Sequence, residues 1–293
     1  MRKLVLLIGC VALLNSCQVY RNYKRPAELP IDGLYQPVDS IVANDTSSMG
    51  DLPWQEVFQD TLLQKLITYG LDNNTDMQIA LLRVDEAQAR LKAAKLSFLP
   101  SVSLSPQFAI NKSGNNSATK TYELPLQASW EVDLFGKLRN AKKAVQATLL
   151  QQEAYRQAVR SELIATIAND YYTLLMLDEQ IKISQATLEI WKEQIRVMEA
   201  KFKVGEETEN AIRQARANLY ELEATHNDLS RNLYEAENAI CTLLGTTYHK
   251  IVRSNFELQV FPEQFSVGIP LRLLSKRPDV VQAEMALASS YYN

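Results

Sequence analysis

The sequence predicts a mainly α-helical fold built on long antiparallel coiled-coil helices and interrupted by one pair of β-strands. Three observations predict it. Leu138 to Lys203 contains neither proline nor glycine, and at 1.5 Å rise per residue such a helix would run roughly 100 Å, where about a dozen residues is ordinary. Apolar residues on both sides of Gly205 step by three and four, the spacing of a coiled-coil seam. Between positions 100 and 135 the apolar period drops to two, the signature of strands.

The chain has 293 residues, room for one or two domains. A charged fraction of 22% and an aromatic fraction of 8% fit a folded protein. The net charge of −3 and the lack of a basic patch argue against nucleic acid as a partner. Three cysteines and two histidines leave little material for a metal site or a disulfide framework.

Arg2 and Lys3 precede an apolar run, Leu4 to Leu14, that is too short to span a bilayer as a helix. Residues 1–16 therefore read as a secretory signal. Leu14-Asn15-Ser16-Cys17 resembles a bacterial lipoprotein box, which makes Cys17 the lipid-bearing residue of the mature chain. Leu7-Ile8-Gly9-Cys10 fits the box locally but would leave an apolar region of only five residues, Leu4 to Ile8. Cys241 is then unpartnered and reads as a small buried helix residue. Residues 17–52 scatter prolines among Ser, Asp, Asn and Gly and read as an extended tether.

Residues 53–98 are predicted helical, first from Trp54 to Gly70 and then, after Asp72-Asn73-Asn74-Thr75, in a helix ending before Pro100, with a seam at Ala80, Val84, Ala87, Leu91, Ala94 and Phe98. Strands are predicted at 100–111 and 119–135. Val102, Leu104, Phe108 and Ile110 alternate with Ser101, Ser103, Ser105, Gln107 and Asn111. Beyond a polar loop, Tyr122, Leu124, Leu126, Ala128, Trp130, Val132 and Leu134 take one face of the second strand. Two readings stay open here: a hairpin with one wet face, or a pair of membrane strands, each long enough to cross a bilayer when tilted. Pro106 and Pro125 sit awkwardly in either.

A hairpin spanning 137–245 follows. Its seam is small from Ala144 through Ala147, Ala154, Ala158, Ser161 and Ala165 to Ala168, and large from Leu174 onwards. Reflection about Gly205 pairs Met198 with Ile212, Ile195 with Ala215, Trp191 with Leu219, Leu188 with Leu222, Ile181 with Leu229, Leu177 with Leu233 and Leu174 with Ala236. One antiparallel turn satisfies every pair, and glycine suits it by accepting positive φ. The same mirror sets His226 opposite Ser184, as a polar layer that fixes register. A linker, 246–270, leads to 271–293, where Asp279, Ala283, Leu287 and Ser290 fall on Asp76, Ala80, Val84 and Ala87. That echo reads as the start of a second, incomplete repeat, with 53–270 as the first.

Five stretches then resemble one family, the outer-membrane factor (TolC-like) efflux channels, in their lipoprotein branch. Trp54-x3-Phe58-x-Asp60-x-Leu62 with Asn74-x-Asp76-x3-Ala80 resembles the opening of that family's first repeat. Phe98-Leu99-Pro100-Ser101-Val102-Ser103-Leu104 resembles its helix-to-strand switch, and Trp130-Glu131-Val132-Asp133-Leu134-Phe135-Gly136-Lys137-Leu138 its strand-to-helix switch. Phe202-x2-Gly205-x2-Thr208 resembles the hairpin tip, and Arg277-Pro278-Asp279-Val280 with Ala283-Glu284 the opening of the second repeat.

The resemblance implies a homotrimer whose chains share one transmembrane β-barrel, with the helices forming an α-barrel through the periplasm. The chain would be the passive outer-membrane duct of a tripartite efflux or export system. Its partners would be a periplasmic adaptor, an inner-membrane pump and outer-membrane lipid. The implied adaptor-contact tip is Val204, Gly205, Glu206, Glu207 and Thr208. Relatives usually carry an apolar residue and an aspartate where Glu206 and Asn210 stand. Glu131 and Asp133, two apart on a predicted strand, would face the lumen. No catalytic set, metal cluster or cofactor motif is found, so an enzyme is not expected. The alternative reading is an α-helical envelope lipoprotein serving as spacer or tether, or a non-functional piece of the channel.

Overall fold

In a computed structural model the described residues are 22–25, 52–111, 114, 118–259 and 276–293. The signal, Cys10, Cys17, most of the tether and the end of the linker lie outside them. The chain divides into two compact units, residues 1–35, 82–155 and 276–293 in one and 36–81 and 156–275 in the other.

The second unit holds the main apolar core. Helix α1 (Trp54–Val57) and helix α2 (Thr61–Asn73) replace the single helix expected over Trp54 to Gly70. Asp60 causes the break: its carboxylate accepts from the Leu62 and Leu63 amides as an N-cap, which forces extended backbone at 60. Leu63 and Ile67 of α2 pack with Leu163, Ile167, Tyr171, Leu174, Leu175, Ile240, Leu244 and Ile251. The approach at Gly70 is close, since a Cβ there would stand 2.5 Å from Ile167 Cδ1. Asn74 ties three helix ends together. Its amide closes α2 on the Gly70 carbonyl, its Oδ1 accepts from the Met77 amide in the first turn of helix α3 (Thr75–Leu96), and its Nδ2 donates to the Leu243 carbonyl.

Helix α4 (Lys137–Lys203) runs unbroken for 67 residues. It turns at Gly205 into helix α5 (Glu209–Leu243). Both helices end in the same way, with glycine at positive φ, +82° at Gly205 and +67° at Gly245. Glu206 N–H returns to the Lys201 carbonyl and Thr246 N–H to that of Cys241, closing the orphan carbonyls. The mirror about Gly205 is met at its polar layer, and much of its apolar seam is buried. Leu174, Leu177, Leu188, Ile195, Ile212 and Ala215 are buried, and Ser184 Oγ meets His226 Nδ1 at 2.7 Å.

The small seam holds less far than expected. Ala144, Ala147, Ala154 and Ala168 are buried, but Ser161 and Ala165 are exposed. Near Ala158 the buried face swings to Leu163, Ile167 and Tyr171, because large apolar side chains meet α2 there. Burial of adjacent positions, 167 with 168 and 174 with 175, marks an arc wider than one seam.

In the first unit, four short strands make two antiparallel ladders. Strand β1 (Ser101–Leu104) pairs with β4 (Leu126–Ser129), and β2 (Gln107–Asn111) pairs with β3 (Thr119–Glu123). They form one ribbon interrupted at Pro106 and Pro125, where Ser105 N–H still reaches the Pro125 carbonyl. The second strand was expected to reach 135 but stops at Ser129. Helix α6 (Pro278–Tyr292) lies within 271–293, the segment read as the start of a second repeat. Its buried residue is Ala288, whereas Ala283 and Leu287, set by the echo on the Ala80–Val84 seam, are exposed.

Candidate functional site

The ribbon is the first candidate surface. Register puts Val102 opposite Ala128, Leu104 opposite Leu126, Phe108 opposite Tyr122 and Ile110 opposite Lys120. In an antiparallel pair, residues directly opposite project to one face, and alternation carries that face along each strand. One face is therefore apolar throughout, closed at its loop end by Lys120. The other carries Ser101 with Ser129, Ser103 with Gln127, and Gln107 with Glu123.

The apolar face is bare: Val102 is 66% exposed, Leu126 71% and Tyr122 74%. Covering such a side chain is worth about 1.5–3 kcal/mol, so the six large ones in the ladders come to roughly 10 kcal/mol or more. That rivals the net stability of a whole domain, about 5–15 kcal/mol. Each arm, 101–111 and 119–129, is 11 residues long, the length that crosses a bilayer when tilted. Among the described residues each strand has one neighbour, which leaves an open edge on both sides of the ribbon.

Glu131 and Asp133 do not sit on a strand, so they share no strand face. Both instead bind the start of α4. Asp133 Oδ2 accepts from Arg139 N at 3.0 Å and from its Nε at 3.2 Å, and Glu131 pairs with Lys137 Nζ at 2.8 Å. Gly136 at φ +83° makes the turn that brings them back. Trp130, expected to face the same way as Leu126, donates from Nε1 to the Phe98 carbonyl at 3.1 Å and so joins the two ends of the ribbon.

The hairpin tip is the second candidate surface. Val204, Gly205, Glu206 and Thr208 are exposed and Glu207 is half-buried. Thr208 caps α5 by accepting from Ala211 N at 3.2 Å. Beside the turn, Arg196, Val197, Ala200, Lys201 and Val204 line a shallow groove of about 400 Å³. Val204 also ends a stripe that sequence reasoning missed. Met176, Ile183, Ile190, Val197 and Val204 recur every seven residues on α4, turned away from α5, and are 44–72% exposed. Their spacing alone could have revealed this second seam.

Two polar clusters, also missed, brace the unit that carries the hairpin. Asp60 accepts from Tyr171 Oη at 2.7 Å, from Gln259 Nε2 at 3.0 Å and from Ser254 Oγ. Burial would raise this carboxyl, but the bonds from Ser254, Tyr171, Gln259 and Leu62 outweigh it and hold it down to about 2. Arg253 forks onto Asp178 and reaches Glu237 Oε1 at 2.6 Å, and Tyr248 donates to the other Glu237 oxygen. These side-chain partners lie 11 to 199 residues apart in sequence, so no local pattern announces them. His249 contacts Cys241 Sγ in the same unit.

Comparison with known proteins gives one consistent answer. The outer membrane efflux protein family matches residues 66–246. The chain is 28% identical over 298 residues to the cation efflux system protein CusC of Escherichia coli (strain K12), covering 98% of this chain and 64% of CusC. It is 26% identical over 296 residues to the probable outer membrane lipoprotein SilC of Salmonella typhimurium, covering 98% of this chain and 62% of SilC. The solved outer-membrane channel OprN superposes with a TM-score of 0.79 at 26% identity, covering 94% of this chain and 63% of OprN. The chain thus spans less than two thirds of the length of these relatives. With over half of its residues matched in order, it belongs to the outer membrane efflux protein family.

Proposed function

We propose that this chain is the outer-membrane channel component of a tripartite efflux system, a passive duct that performs no chemistry. The carrying observation is the two-faced ribbon, whose apolar face needs lipid and whose polar face suits a water-filled lumen. Its open edges must be paired inside a membrane, so closure requires further strands. A homotrimer supplies them, and the exposed stripe from Met176 to Val204 gives α4 a second seam for a neighbouring helix. The strand pair is then part of a trimeric transmembrane β-barrel, and the long helices are staves of an α-barrel in the periplasm. Cys17 carries the lipid anchor. Val204 to Thr208 face a periplasmic adaptor, which bridges to an inner-membrane pump. Glu131 and Asp133 stand at the mouth of the lumen with their charges paired to Lys137 and Arg139.

A spacer lipoprotein would share the hairpin but has no use for a bare apolar ribbon. Extraction separates the two readings. The full protein should leave outer membranes only in detergent, migrate as a trimer and pass current in planar bilayers. A monomeric rod without conductance would refute the channel.

A further inference from the structure

We infer that Asn22 to Arg25 form a clasp that seats α6 on α4 and fixes where the N-terminal tether leaves the helices. The four residues reach both α4 and α6. Lys143 Nζ on α4 donates to Asn22 Oδ1. Tyr23 N–H donates to Tyr292 Oη at 3.0 Å, and the Tyr23 ring meets Tyr291 edge-on at 5.9 Å. Arg25 forks onto both carboxylate oxygens of Glu284, with Nε to Oε1 at 2.7 Å. Its guanidinium lowers the Glu284 carboxyl against the opposing effect of burial. Lys143 also lies over the Tyr292 ring at 5.4 Å, so one lysine joins the tether to both helices.

The clasp matters because α6 is thinly buried, with Val280, Val281, Met285 and Tyr292 only half-buried. Its one fully buried residue is Ala288, and beside the Lys143–Tyr292 contact a side-chain hydrogen bond, Thr148 Oγ1 with Ser289 Oγ at 3.1 Å, ties it to α4. A helix of 15 residues is marginal by itself and depends on such tertiary contacts.

Position gives the clasp a second consequence, which rests on the lipid-anchor reading of Cys17. Four residues separate Cys17 from Asn22, five chain steps with a reach of at most roughly 18 Å. Lys143 lies six residues into α4, about 9 Å from its start beside the ribbon. The anchor can therefore reach the level where ribbon meets helix, and not the far end of α4.

The test is a disulfide reporter, Thr148→Cys with Ser289→Cys, in the full lipidated protein in isolated outer membranes. Its equilibrium with a glutathione buffer gives the effective concentration of α6 on α4. Replacing Asn22 to Arg25 by Gly-Ser-Gly-Ser should lower that value about fivefold or more. Arg25→Glu should lower it about threefold, and Arg25→Glu with Glu284→Arg should restore most of it. Ser184→Cys with His226→Cys in the hairpin is the control for folding and should not change. An unchanged reporter in the Gly-Ser chain, or no recovery in the charge-swapped pair, would overturn the clasp. Conductance plays no part in the readout, so failure of the channel reading would leave the result interpretable.

Discussion

The core around Tyr171 and the β-ribbon satisfy themselves in opposite ways. Around Tyr171, chemistry closes within one chain. Asp60 takes bonds from Leu62, Tyr171, Ser254 and Gln259, Arg253 is shared by two carboxylates, and the apolar side chains of four helices and Ile251 cover one another. In the ribbon almost nothing closes. Leu104, Phe108, Ile110, Tyr122 and Leu126 are more than half exposed, and the strand edges are open. The first region buries its own apolar side chains, whereas the second leaves its apolar face and both edges open, which the channel reading fills with lipid and neighbouring strands. The stripe from Met176 to Val204 places the same division on a single helix, where α4 is finished towards α5 and unfinished behind.

Substitutions that set the two regions against each other should differ greatly in size. The largest effect belongs to the ribbon: Leu126→Lys should cut membrane insertion at least tenfold, because a lipid-facing lysine near mid-bilayer costs about 2–4 kcal/mol per chain. Fractionation of envelopes reads it, and thermal melting of the helices should not move. Within the core, Asp60→Ala strips the shared acceptor from Tyr171, Ser254 and Gln259 and should cost about 3 kcal/mol in urea unfolding. The same residue sets an acid limb. Because its folded value is depressed, the stability it brings is complete above its unfolded value of about 3.9 and is lost as pH falls towards 2. Asp60→Asn should flatten that limb between those pH values. The smallest effect is at the turn, where Gly205→Ala forces a Cβ into positive φ and should cost about 1 kcal/mol without altering insertion.

What the sequence reveals divides along the same line. The hairpin was legible because its pairs are symmetric about one glycine, and the bond between Ser184 and His226 falls where the mirror sets it. The ribbon's two faces were legible from period two, because alternation is local. The break at Asp60 had a readable signal, an aspartate ahead of Thr61-Leu62 in capping position, that apolar spacing obscured. Ser161 and Ala165 misled because spacing on one helix does not say which neighbour it meets. The strand placement of Glu131 and Asp133 misled because a helix start competes for carboxylates, and Gly136 turns the chain so that it can. The Arg253 and Asp60 clusters join residues far apart in sequence, and only the fold brings them together.

One measurement tests the central claim most directly: single cysteines along both arms of the ribbon, labelled in intact outer membranes. The account predicts alternation. Positions 104, 108, 122 and 126 should be silent to a water-soluble maleimide and quenched by lipid-phase spin labels, while 103, 107, 123 and 127 should react from water. Uniform aqueous labelling at all eight positions would contradict it.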